Sequence, residues 1–234
     1  MNLKIAGLFF LFSGMISLSF SQTISGNGRI ASEDRSVSWF HSVEINGAFD
    51  VEISQKGNTR LTVQADENLL DHIQTSVENG VLTIKTEGKI RNAKQMKLYI
   101  ANNEFRSLKV SGAVAIVGLN AIQGDELSLH VSGAGNIKLD LSVNEISAHI
   151  SGAGSLVLSG KAYNADLDIS GAGNIKAFDL ESEYMDIDLS GAGSAEVNTK
   201  EELDVSISGM GSVSYYGSPS VRKRISGMGS LRKM

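Results

Sequence analysis

"HVSGAGNIKL", residues 130–139, sets two glycines around an alanine in the middle of an apolar stretch. The same device returns as SGAG at Ser151, Ser170 and Ser190, then as SGMG at Ser208 and Ser226, and a degenerate copy, SGAV, starts at Ser111. Successive repeat serines are 21, 19, 19, 20, 18 and 18 residues apart. Within each unit apolar residues and glycines alternate with polar ones. One copy runs Leu127, Leu129, Val131, Gly133, Gly135, Ile137, Leu139 and Leu141; the next runs Ile146, Ala148, Ile150, Gly152, Gly154, Leu156 and Leu158. Period-two alternation is the signature of a strand with one buried face. A single coil cannot bury that face alone, whereas stacked coils bury a continuous one.

Both glycines of each unit fall in the inward phase, where a backbone must bend sharply or approach its neighbour closely. Structural corners are therefore expected at Gly112, Gly133, Gly135, Gly152, Gly154, Gly171, Gly173, Gly191, Gly193, Gly209, Gly211, Gly227 and Gly229. An antiparallel meander with SGAG as its hairpin turn is the alternative. A hairpin has little need of the same turn chemistry six times, and a stacked corner does. The pattern predicts an all-β fold: a parallel β-helix, or solenoid, of Gly-rich coils of about 19 residues, with right-handed crossover as the default.

The N-terminal half is less regular. Val43, Ile45, Gly47, Phe49, Val51 and Ile53 share one phase and form an early coil. Leu69, Leu70 and Ile73 follow Asp66 at helical spacing, and Asn79-Gly80 precedes Val81, Leu82 and Ile84, which predicts one short helix and then a hairpin. The 25 glycines, the single proline and the scarcity of aromatics suit short strands and tight turns rather than a helical bundle.

Residues 1–21 read as a signal peptide: Lys4, the apolar run Ile5–Phe20, then the small residues around Ser19 and Ser21, with Gln22 as the new N-terminus. Residues 22–35 read as a flexible leader, and 36–234 as a single domain, with irregular coils over 36–110 and the repeats over 111–234. No later segment approaches the roughly 20 apolar residues of a membrane span. With no cysteine, neither disulfides nor a lipidated cysteine can form.

Net charge is −5, unevenly spread. Residues 125–204 carry fifteen acids against four lysines, while the last thirteen residues carry five bases and no acid. A nucleic-acid partner would call for basic side chains over the main body, which is acidic. The basic ends and acidic middle allow salt-sensitive self-association.

"INGAFDVEIS", "ADENLLDHIQTSVENGVLTI" and the run of SGAG coils together resemble the head GIN domain family of auto-transporter adhesin heads, over roughly residues 36–230. The N-terminal block is the more specific part. The resemblance implies a right-handed β-helix related in architecture to pectin-lyase-like folds, and a role in adhesion without an established catalytic site.

No metalloprotease, nucleophile-elbow, P-loop or Cys/His ligand motif occurs. Aligning the coils places Lys109, His130, His149, Asp168, Asp188, Ser206 and Arg224 in one outward column, and Ser107, Ser128, Ser147, Asp166, Asp186, Asp204 and Arg222 in another. Asp166, Asp168, Asp186 and Asp188 then form a carboxylate square, a candidate weak calcium site beside His130 and His149 and the one cofactor suggested. A solvated outward face that discourages sheet association is the plainer expectation for the same residues. Asn136, Ser155, Asn174, Ser194, Ser212 and Ser230 align as a hydrogen-bonding ladder, and Met210 and Met228 are expected under a terminal cap, with contact to a partner as the alternative. The resulting expectation is an exported, non-catalytic module presenting its coils to a glycan or a cell-surface protein. A structural envelope protein comes second, and a carbohydrate-active enzyme third.

Overall fold

The computed structural model describes residues 23–234; the expected signal peptide, residues 1–21, lies outside them. The chain is a parallel β-solenoid of about 7 turns. The repeat serines stack in strict register, with Ser111, Ser132, Ser151, Ser170, Ser190, Ser208 and Ser226 paired from coil to coil. Each coil has two strand faces. One leads into the SGAG corner, as in Ile122–Gly133, and the next strand, Asn136–Gly152, leaves it, passes a second corner near Asn144 and returns to the first face.

Between the faces lies one core, in which Val131, Ile150, Ile169, Leu189 and Ile207 stack beneath the SGAG corners and Ile137, Leu156 and Ile175 stack opposite. The corners themselves are stitched by backbone bonds. Ala134 donates to the Gly112 carbonyl at 2.9 Å, Ala153 to Gly133 at 2.9 Å and Ala172 to Gly152 at 2.8 Å, so the ladder continues where the strand bends.

The two glycines of each corner do different work, which corrects the expectation that both face inward. The first has positive φ (+98° at Gly133, +132° at Gly152) and lies at the surface. A Cβ on Gly152 would lie 2.6 Å from the Gly133 carbonyl oxygen, so the position requires both the left-handed backbone and the missing side chain. Only the second glycine points into the core: a Cβ on Gly135 would meet Val131 and Val110. The positive φ turns the first glycine outward, and the inward phase resumes two residues later.

The N-terminal end is closed by a cap of mixed strand direction, not by further coils. The first coil strand, Ser42–Ser54, pairs in parallel with Val81–Thr86 and Met96–Ala101. Arg60–Asp66 then adds antiparallel to Met96–Ala101, and Ile73–Glu78 pairs antiparallel with Val81–Thr86. The expected hairpin turn sits at Asn79 (φ 51°) and Gly80 (φ 76°), and the expected short helix is the 3-10 segment Glu67–His72. Phe40 and Phe105, both fully buried, pack beneath the cap with ring centroids 6.5 Å apart.

The expectation of a flexible leader over 22–35 is corrected as well. Thr23–Ser25 pairs with Lys89–Arg91, and Ile30–Arg35 forms an outer antiparallel strand on Arg60–Asp66. What holds the segment between them is Asp66, a fully buried carboxylate. Its Oδ1 accepts the Gly28 N–H at 2.5 Å, and its Oδ2 accepts those of Lys94 at 2.8 Å and Gln95 at 3.2 Å. Burial pushes the carboxyl up, but these backbone donors outweigh it and hold Asp66 below the usual carboxylate range.

At the other end nothing covers the last coil among the described residues. Met210 and Met228 are 64% and 80% exposed, so the terminal cap expected over them is absent from the described chain.

Candidate functional site

The strand register builds the two outward columns as aligned. Asp166 pairs with Asp186 and Asp168 with Asp188, so the four carboxylates do occupy adjacent rungs. They stand as a ladder, however, because outward side chains of one sheet project in parallel rather than toward a common point. Among the described residues no group of three or more His, Asp or Glu side chains is disposed to hold a metal ion. His149 Nδ1 lies 3.0 Å from Asp168 Oδ2, and its ring stands 6.1 Å from that of His130. The Asn/Ser ladder shows one bond along the axis, Ser194 Oγ donating to Asn174 Oδ1 at 2.7 Å.

Partial burial raises the pKa of Asp166, with Asp168 and Asp188 adding to the shift. Asp186 is raised by burial, then by Asp204, Asp188 and Asp166, against the opposing pull of Arg224. These two carboxyls therefore resist ionisation more than free ones.

The second corner supplies what the repeat alignment did not show. There the inward phase slips by one residue: Val143 is buried, Asn144 and Glu145 are both exposed, and Ile146 is buried again. One coil later Ala162 and Ala165 flank Tyr163 and Asn164 in the same way, and Ser182 and Met185 then flank Glu183 and Tyr184. The slip turns consecutive side chains out of the solenoid. Tyr163 and Tyr184, 53% and 41% exposed, meet edge to face with ring centroids 5.5 Å apart. The neighbouring Tyr163 pushes the Tyr184 hydroxyl to a higher pKa.

Three hollows follow this corner, of about 470, 250 and 280 Å³. The first shares Gly124 and Asn144 with the second, and Glu145 and Asn164 with the third; the second and third share no lining residue, so they form the two arms of a forked furrow that flank the outward pairs of the corner. Tyr163 lines the second hollow; Tyr184 lines the third together with Asp166 and Asp186. Asp168 and Asp188 instead border a separate hollow with Ser190, Ser206 and Arg224. The predicted square is thus divided between two sites.

A family model described as "putative auto-transporter adhesin, head GIN domain" matches residues 39–219. The chain belongs to the head GIN domain family. The match spans most of the cap and all but the last of the SGAG and SGMG corners. A solved structure named a putative adhesin, from Bacteroides fragilis, superposes with a TM-score of 0.87 at 25% identity, covering 90% of this chain and 100% of that one. A putative lipid binding protein from Parabacteroides distasonis gives a TM-score of 0.77 at 24% identity, covering 91% and 100%. A putative adhesin from Parabacteroides merdae gives 0.69 at 22%, covering 91% and 99%. No curated protein matches the chain. Family and first neighbour thus mark the chain as an adhesion-like head GIN module. Among the described residues, no helix is long and apolar enough to cross a membrane.

In this head GIN chain the furrow could have been found from sequence by one signal, the pairs of consecutive polar residues that interrupt the alternation at Asn144-Glu145 and Tyr163-Asn164. Their meeting across coils depends on the register at a corner that no repeat motif marks.

Proposed function

We propose that this head GIN protein is exported and acts as a non-catalytic adhesion module that holds an elongated, neutral or amino-sugar glycan along its second corner. The observation that carries the reading is the exposed Tyr163–Tyr184 pair, which stands between the two arms of the furrow, Tyr163 lining one and Tyr184 the other. Tyrosine rings offer apolar faces to sugar C–H groups while keeping a polar hydroxyl. Around them Asn144, Asn164 and Glu145 supply amide and carboxylate partners for hydroxyls. The furrow is rich in acids, with Asp125, Glu126, Glu181, Glu183 and Glu202 against Arg106, Lys161 and Arg222, a balance that repels anionic polysaccharides.

The test is retention of the purified chain on an array of neutral, amino-sugar and anionic glycans, with calcium and with a chelator. The reading predicts retention on the first two classes. Retention falls about tenfold or more when Tyr163 and Tyr184 are both changed to Ala, as the loss of two aromatic contacts implies. Loss of retention in chelator would bring calcium back to the Asp ladder. No retention on any glycan, or equal retention by the double variant, would overturn the glycan reading.

A further inference from the structure

The two ends of the solenoid are built differently. The N-terminal end is closed by antiparallel strands and the short 3-10 helix. At the C-terminal end, Ser220–Gly227 pairs only with Glu202–Gly209, and Ser230–Lys233 only with Ser212–Tyr215. Their far sides are free backbone edges among the described residues. In the inward phase of this last coil stand Val221, Lys223, Ile225, Leu231 and Lys233, over Leu203, Val205, Ile207, Val213 and Tyr215. Lys223 ends a column that is apolar in every coil beneath it, through Val205, Ile187, Leu167, Ala148 and Leu129. Around it, Ile225 and Met228 are exposed.

The charge of this edge selects its occupant. Arg222 is paired with Glu202 and Asp204, whereas Lys223, Arg224 and Arg232 have no ion-pair partner among the described residues. Two copies meeting end to end at this coil would oppose these cations, and inward lysines at a sheet edge work against such pairing. A head-to-tail copy would offer two edges: Ile30–Arg35, whose acids Glu33 and Asp34 are already engaged by Arg35 and Arg60, and Ile73–Glu78, whose single acid, Glu78, stands at the end of the strand and answers at most one of these cations. We propose that the terminal coil is a docking edge for an extended acidic segment of another protein, which adds as one more parallel rung. Backbone bonds would supply affinity, and alternate side chains specificity: acids beside Arg222 and Arg224, apolar groups over Val221 and Ile225.

The chain contains a sequence of this pattern. Tyr184–Gly191, YMDIDLSG, would set Asp186 beside Arg222, Asp188 beside Arg224 and Leu189 over Ile225 in the solenoid register. The test is fluorescence anisotropy of that octapeptide, labelled, titrated with the purified chain. Three controls accompany it: the peptide with Asp186→Lys and Asp188→Lys, the peptide with alternate backbone amides methylated, and the Lys223→Glu and Arg224→Glu chains, both changed on the strand the peptide would pair with. The proposal predicts saturable binding that weakens about tenfold or more with the lysine peptide and with either protein variant, and more steeply as salt rises. It also predicts that the methylated peptide does not bind. The proposal is overturned if the acidic peptide fails to bind, or binds equally to the variants or when methylated. It is overturned equally if sedimentation shows the chain filling this edge with a second copy of itself. None of these readouts depends on the tyrosine furrow, so the glycan reading can fail separately.

Discussion

A Cβ placed on Gly191 would lie 2.4 Å from the carbonyl oxygen of Gly171, one coil below. Gly191 also has φ +124°, a conformation that side chains strongly disfavour. Backbone strain and the clash act together, so Gly191→Ala is expected to cost about 2–3 kcal/mol in urea unfolding. The neighbouring outward Ala192→Ser should stay within about 0.5 kcal/mol, as for other exposed positions. Equal effects at the two sites would show that the corner does not depend on close backbone stacking.

The second glycine of a corner fails for a different reason. A Cβ on Gly135 would meet side chains, Val131 Cγ1 at 2.8 Å and Val110 Cγ2 at 2.9 Å. Overpacking of this kind costs about 1–3 kcal/mol. Because the obstacle is a side chain, shortening it makes room: Gly135→Ala combined with Val131→Ala should lose less than the sum of the two single changes in a double-mutant cycle. Strict additivity would contradict the inward placement of Gly135.

These corners were largely legible in the sequence, because one alternation runs through Val131, Gly135 and Ile137 and repeats with a fixed period. The outward turn of the first glycine was not, since alternation counts residues and cannot register a positive φ. Asp166 beside Asp186 followed from alignment alone. Tyr163 against Tyr184 did not, because the second corner varies in length from coil to coil and carries no motif. The leader was misread for a related reason: its anchor, Asp66, is distant in sequence and buried, and a lone aspartate before a helix reads as an ordinary cap.

Asp66 sets a pH dependence of definite sign. Its folded pKa lies below its unfolded value, so its contribution is complete above the ordinary carboxylate range of about pH 4 and is lost as pH falls through the folded value. Asp66→Asn should destabilise the chain at pH 7 by about 1.5–3 kcal/mol, the range for hydrogen bonds to a charged group. Thr23–Arg35 should become the first segment to exchange its amides. At pH 2 the variant and the parent should differ much less. An unchanged difference between pH 7 and pH 2 would rule out the charge as the source.

Asp166 and Asp186 act in the opposite sense. Their folded pKa values are raised, so they favour the fold most below the unfolded carboxylate pKa and weaken it as pH rises from there through the folded values. Replacing both with Asn should raise the melting temperature at pH 7 by roughly 1–2 °C at low salt, a small effect because water screens both groups. The gain should vanish near pH 3 and shrink in high salt. A loss of stability at pH 7 would mean that the pair is held by a favourable partner such as a bound cation.

The central claim, that a ligand lies along the second corner over Tyr163 and Tyr184, is tested most directly by amide hydrogen exchange with and without the glycan best retained on the array. The account predicts slowed exchange confined to residues around 142–145, 161–165 and 181–185, with the SGAG corners and the terminal coil unchanged. Protection centred on the SGAG corners or on Ser220–Lys233, with none at the tyrosine pair, would contradict it.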